Sequence, residues 1–200
     1  MSREEKGKLT LGVTKLYEKI PIERIGVLIG PNGKTLREIM DKTGVSITVD
    51  STTGSVVIEP SSTNTTMVDL LKARDIVKAI GYGFNPEIAM ELIDEDKMLV
   101  VINVKDYVGD KPNHIQRLLG RVIGEGGKAK RNIEELTKTK ISIYETNISI
   151  IGDYDSIELA KTAIEMLLQG RQHSTVYRYL ERASFTLKRR RMTDLWMKKL

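Results

Sequence analysis

The chain has 200 residues, 40% of them apolar, with no apolar run approaching the ~20 residues of a membrane span, and its polar opening, MSREEKGKLT, lacks a signal-peptide core, so a soluble cytoplasmic protein with no membrane partner is expected. Cysteine is absent, which excludes disulfides, a thiol nucleophile and cysteine-ligated metal centres; His114 and His173 have no carboxylate cluster around them, so no metal and no cofactor is expected and both read as surface or capping residues. The net charge of +5 is uneven: residues 171–200 hold nine Lys/Arg against two Asp/Glu, a net of +7, which leaves residues 1–170 at −2.

In chain order, residues 11–20 read as a first strand, rich in Val, Leu, Tyr and Ile. Pro21 opens a short helix at 22–29, proline being favoured in a first helical turn. GPNG follows, then a helix from 34 to about 42 that Gly44 stops. Residues 45–49 and 55–59 form a hairpin around the STTG turn, and a helix resumes near Ser62 and ends around Gly81. The segment FNPEIAMELIDED carries five carboxylates, with Ile88, Met90, Leu92 and Ile93 between them, and suits a helix packed at a domain junction. The order then repeats: a strand at 98–104, a helix at 113–123, GEGG, a helix at 128–138, strands at 140–144 and 148–151, and a helix at 155–169 ended by Gly170. Residues 175–197 read as a further helix, and KRRR at 188–191 gives it its charge.

The repeat is visible residue by residue. LIGPNGKTLREI at 28–39 returns as VIGEGGKAKRNI at 122–133, an offset of 94 that pairs Gly30 with Gly124, Gly33 with Gly127, Lys34 with Lys128, Ile39 with Ile133, Thr43 with Thr137 and Ile47 with Ile141. Two small domains are therefore expected. A G-x-x-G turn between two helices lets the backbone approach a bulky anion, since glycine has no β-carbon and tolerates positive φ. The N-terminus of the second helix then meets that anion with free N–H groups and the positive end of its dipole. Lys34, Thr35 and Arg37 follow the first turn; Arg121 precedes the second, and Lys128, Lys130 and Arg131 follow it. A phosphate backbone is the matching ligand.

Two β-α-α-β-β-α units, each with an I-G-x-x-G turn between its first two helices, resemble KH domains of the eukaryotic-type order. The resemblance implies an α+β fold of two tandem KH domains with a basic helical extension: 1–83 the first domain, 84–96 an acidic junction, 97–170 the second domain and 171–200 the extension. It also implies single-stranded RNA as ligand, about four nucleotides held between the turn and an apolar groove. Carried over, Gly30, Pro31, Asn32 and Gly33 form one clamp and Gly124, Glu125, Gly126 and Gly127 the other. Groove walls would come from Ile25, Leu28, Ile29 and Ile47, and from Leu119, Val122 and Ile141, all equally suited to a core. The ten aromatic residues, scattered along the chain, give no stacking platform of the kind other single-strand binders use.

The second half, with GRVIGEGGKAK, the TKTKI helix exit, NISIIG and a helix ending in LLQG, followed by STVYRYLERA, is similar to the ribosome-assembly KH proteins called Dim-two or Partner-of-Nob. That resemblance implies a non-enzymatic factor binding near the single-stranded 3′ end of small-subunit precursor ribosomal RNA. It also implies a partnership with the PIN-domain endonuclease that trims that RNA, and covering this end would bring the protein near the initiation machinery. Glu125 departs from the pattern by placing a carboxylate inside a phosphate-binding turn. An intact first turn and the short N-terminal segment point to the archaeal form.

Other readings fare worse. Gly33-Lys34-Thr35 imitates the end of a Walker A loop, yet Leu28 stands where that loop needs glycine, and Ala129 replaces the Ser/Thr at the second turn. Asp94, Glu95 and Asp96 are consecutive and do not converge as a nuclease metal pair would require, so they read as an acidic cap or partner surface. A tandem-KH transcription elongation or termination factor is the alternative in the binding class, although such factors close each unit with a strand, where helices are expected here; a general RNA-binding regulator is another. In the extension, Leu180, Leu195 and Trp196 are candidates for partner docking while KRRR steadies RNA.

Overall fold

The computed structural model describes residues 15–197, with side chains through Thr193. Its elements run β1 (Leu16–Lys19), α1 (Ile22–Ile29), α2 (Lys34–Thr43), β2 (Val45–Asp50), β3 (Ser55–Pro60) and α3 (Met67–Gly81), then α4 (Pro86–Ala89) in the junction. The second unit follows with β4 (Met98–Asn103), α5 (Lys105–Val108), α6 (Pro112–Ile123), α7 (Lys128–Thr137), β5 (Lys140–Tyr144), β6 (Asn147–Gly152) and α8 (Tyr154–Leu168), and α9 (His173–Met197) ends the described chain. Each unit is one antiparallel sheet, ordered β1-β3-β2 and β4-β6-β5, packed by helices on one face. A helix closes each unit, as the sequence predicts. The opening strand is shorter than the predicted 11–20, and residues 11–14 lie outside the described part.

Alternation sets the register. Ile58 pairs with Leu16 on one side and Ile47 on the other, and Ile150 pairs with Val100 and Ile141. Ile47, Ile58, Ile141 and Ile150 thereby face the helices and are buried. In the first unit they meet Leu28, Ile39, Ile76 and Ile80; in the second, Val122, Ile133, Ile157 and Ile164.

Three elements differ from the sequence expectation. The helix expected from Ser62 begins at Met67, because the hydroxyls of Ser61 and Thr65 donate to Gly44 O at 2.7 and 2.6 Å and hold that segment as a turn. Thr66 then caps α3 in a reciprocal box, its backbone N–H donating to the Asp69 carboxylate at 2.9 Å. The junction helix is only Pro86–Ala89, continued as a 3₁₀ turn at Met90–Ile93. Ala89 and Leu92, three residues apart across that change of helix type, both face the core. The helix Lys105–Val108 is a single turn closed by Gly109, too short to carry a periodic signal.

The junction joins the two units. Phe84, Ala89 and Leu92 are buried in the first unit's core together with Ile151 from β6, and Leu99 packs against that cluster. β6 is therefore covered on both faces, Ile148 and Ile150 by its own helices and Ile151 by the other unit, which is why Ile151 follows Ile150 directly and breaks the polar–apolar alternation of NISIIG. Three polar contacts add to this seam: Ser142 Oγ donates to Tyr82 O at 2.9 Å, Lys72 Nζ to Ile93 O at 2.8 Å, and the Tyr144 hydroxyl to the Glu23 carboxylate. The Glu23 bond pushes the Tyr144 phenol up to about 12.

The extension is anchored by Val176 and Leu180, both fully buried, and by Ser184, a stripe at spacing four laid on α7 and α8. Arg191 ends the contact with an ion pair of 2.5 Å to Asp153, the residue that caps α8 by accepting from Ser156 N at 3.0 Å. Burial pushes the Asp153 carboxyl up, but the Ser156 N–H and hydroxyl and the Arg191 guanidinium outweigh it and hold the group below the usual carboxylate range.

Candidate nucleic-acid interface

At both repeats the chain leaves one helix and enters the next through the same backbone path. Gly30 has φ 69 and ψ 177, and Gly124 has φ 71 and ψ 173, a region essentially closed to side-chain-bearing residues. Space is lacking as well: a β-carbon on Gly30 would lie 2.2 Å from Thr35 Oγ1, and one on Gly124 would lie 2.7 Å from the Ala129 β-carbon. Thr35, the Walker-like threonine, thus packs against the turn it follows. Asn32 and Gly126 occupy the next left-handed position, φ 53 and 57, and Pro31, Asn32, Glu125 and Gly126 are all exposed.

Gly33 and Gly127 precede α2 and α7 and offer those helices no side-chain cap. The helix N-termini therefore point unshielded N–H groups and the positive ends of their dipoles into the exposed turn. Lys34 and Lys128 begin the two helices and are exposed, as is Arg131. Chemically, each turn is a seat for an anion that the backbone can approach closely.

The other predicted basic residues are placed differently. Arg37 folds back on its own turn, donating to Gly33 O at 3.2 Å and to Asn32 O, so it braces the loop. Lys130 pairs with Glu134 at 3.2 Å. Arg121 reaches away from the turn to Leu167 O at 3.1 Å and Arg171 O at 2.6 Å, clamping the end of α8. The first unit does the same with Arg24, which donates to Ile80 O at 2.9 Å and Phe84 O at 2.8 Å. The 94-residue offset hides this equivalence, because Arg121 lies one helical turn beyond the position that matches Arg24.

The expected groove walls divide. Ile25, Leu28, Ile47, Val122 and Ile141 are core residues; only Ile29 and Leu119 are part-exposed. In the second unit a cleft does run between α7 and β5, lined by Ile123, Lys130, Glu134, Ile141 and Ile143, with Gly83–Asn85 and Ile88 of the junction on its far side. Glu134 and the junction rim were not legible in sequence, since Glu134 looks like an ordinary polar helix position and the rim depends on how two units meet.

Elsewhere, His173 opens α9 with Nε2 2.8 Å from Arg121 O, and His114 is exposed in the first turn of α6. Asp94, Glu95 and Asp96 are exposed and border a shallow cleft with Asp155 and Arg191. Of the KRRR run, Lys188, Arg189 and Arg190 are exposed and Arg191 is the one tied to Asp153. Leu180, offered as a docking residue, is fully buried against α7 and α8; the side chains of Leu195 and Trp196 lie outside the described residues. Among the described residues no group of three or more His, Cys, Asp or Glu could hold a metal, and no helix is long and apolar enough to cross a membrane.

Two β-α-α-β-β-α units, each with a glycine-bracketed turn ahead of an uncapped helix N-terminus, define a tandem KH-domain protein. The family model described as eukaryotic type KH-domain, type I, matches residues 98–185, and the KH domain model matches residues 17–74. The chain is 44% identical over 181 residues to KH domain-containing protein MJ0443 of Methanocaldococcus jannaschii, covering 90% of this chain and 78% of that one. With the pre-rRNA-processing protein pno1 of Schizosaccharomyces pombe it shares 28% identity over 172 residues, 86% of this chain and 71% of that one. It spans 47 to 60% of the length of three animal PNO1 proteins it matches. Among solved structures, the a/eIF2alpha–aDim2p–rRNA complex of Pyrococcus horikoshii contains a chain 43% identical to this one, with a TM-score of 0.82, covering 88% of this chain and 97% of that one. Dim2p of the same organism matches at 44% identity and a TM-score of 0.79, over 84% of this chain and 99% of that one. The chain belongs to the Dim2/PNO1 family of KH-domain proteins.

Proposed function

We propose that this protein is a non-enzymatic, cytoplasmic RNA-binding factor of small-subunit ribosome assembly, gripping the single-stranded 3′ region of small-subunit precursor rRNA with both glycine turns. The observation that carries the reading is the duplication of an exposed, uncapped helix N-terminus behind a turn that only glycine can form, Gly30 to Gly33 and Gly124 to Gly127. Lys34, Lys128 and Arg131 supply exposed charge, while Arg37 keeps the first turn in shape. Glu125 weakens the second clamp relative to the first, and Lys128 and Arg131 offset it.

The naming of a relative as a pre-rRNA-processing protein and the presence of rRNA beside another support the choice of RNA. The eIF2alpha chain in that complex supports a contact with the initiation machinery, and a PIN-domain endonuclease is the partner that the processing role calls for. The two clamps sit on one platform because the junction core spans both units.

Equilibrium binding to a single-stranded RNA carrying the 3′ end of small-subunit rRNA, measured from 50 to 300 mM salt, tests the clamp. Each phosphate neutralised on a single strand contributes about −0.7 to the slope of log K against log salt, so about four held phosphates give a slope near −2.8. A slope near zero would remove backbone clamping as the source of affinity.

A further inference from the structure

The two grooves differ at one position that faces the edge strand. In the first unit Met40 lies in the last turn of α2, its sulfur 3.4 Å from the backbone N–H of Ile47. In the second, 94 residues on, Glu134 takes that place and its Oε1 accepts from the N–H of Ile141 at 2.8 Å. β2 and β5 are both edge strands, so these N–H groups point away from the central strand toward the groove. A thioether is a weak acceptor that an incoming ligand displaces easily. A carboxylate bond to an N–H is charge-assisted and roughly twice as strong.

Lys130 fixes the carboxylate further, 3.2 Å from Oε1 and 3.3 Å from Oε2, and Glu134 lines the cleft beside Ile123, Ile141 and Ile143. An ionised carboxyl has about four lone-pair sites, and the backbone N–H and the ammonium leave some of them to the cleft. A nucleobase entering here meets a fixed acceptor in place of the weakly held Ile47 N–H of the first unit.

We propose that Glu134 is the base-discriminating residue of the second groove, accepting from the exocyclic amino group of cytosine and rejecting uracil. Cytosine presents its N4 amino group where uracil presents the O4 acceptor, so one donates to the carboxylate and the other is repelled by it. The first groove, with Met40, lacks that selection. This rests on the RNA-clamp reading above.

The test titrates the full chain, ¹⁵N-labelled, with tetracytidine and tetrauridine, reading the second groove from the amide signals of residues 123–127 and 141–143. Tetracytidine should bind there about tenfold tighter, the size of one good charge-assisted base contact. In Glu134→Gln the amide oxygen still accepts from Ile141 while the amide N–H₂ faces the base, and the preference should fall to about twofold or less. Met40→Glu is the converse variant, which should give the first groove the cytosine preference on the amide signals of Gly30, Asn32, Gly33 and residues 47–49, and it decides the matter where Glu134→Gln fails to fold. Equal affinity for the two tetramers in the unaltered second groove, or a preference that survives Glu134→Gln, would overturn the proposal and leave the clamp standing. Signals that move with neither tetramer would overturn the clamp reading together with it.

Discussion

Replacing Pro31 and Asn32 together with aspartate should weaken binding of single-stranded RNA about thirtyfold and leave the fold unchanged. Each new carboxylate meets a phosphate across a few ångströms of partly solvated space, where two like charges repel by at least ~1 kcal/mol, and each 1.4 kcal/mol is a factor of ten. Stability is spared because both residues are exposed, because aspartate is among the residues that accept the left-handed backbone Asn32 adopts at φ 53, and because negative charge favours the N-terminus of α2. Fluorescence titration and thermal unfolding of the same sample check both halves. Unchanged affinity at unchanged melting temperature would mean that phosphate does not sit on the first turn.

Gly30→Ala and Gly124→Ala, made separately, should each lower stability, and through the same backbone position. A side chain held at φ near 70 with ψ near 175 costs about 1–3 kcal/mol from conformation alone, and the approaches of 2.2 Å to Thr35 and 2.7 Å to Ala129 oblige the turn to move as well. For a chain of this size a loss of that order lowers the melting temperature by about 2–12 °C. RNA affinity should fall with it, since the displaced turn no longer aims the N-terminus of α2 or α7 outward. A melting temperature unchanged in both variants would contradict the assignment of these glycines as obligatory.

Much of this fold is legible in the sequence because local and global preferences agree. Pro21 and Pro112 start α1 and α6, Gly44 ends α2, and the pairs Ile39/Ile133 and Ile47/Ile141 mark the same core positions in both units. The clamps are legible for the same reason, since two glycine-bracketed turns recur at one spacing. What the sequence hides depends on contacts between distant segments. Arg121 looks like part of a basic patch, yet the last carbonyls of α8 and Arg171 claim its guanidinium. Lys138 takes the left-handed helix-ending position, φ 61, that Gly44 takes in the first unit, so the repeat lacks its stop signal there. The turn at Ser61–Thr65 forms because side-chain hydroxyls find Gly44 O from 17 and 21 residues away, a match that no local pattern announces. Glu134 gains its place in the groove only once β5 is laid beside α7.

Cross-linking the protein to RNA in its own cells and sequencing the bound fragments tests most directly whether both glycine turns hold one stretch of ribosomal RNA. The expected result is a sharp peak at the 3′ end of small-subunit precursor rRNA, flattened when Pro31 and Asn32 are both aspartate. Fragments spread over messenger or nascent transcripts, with no enrichment at that end, would contradict it.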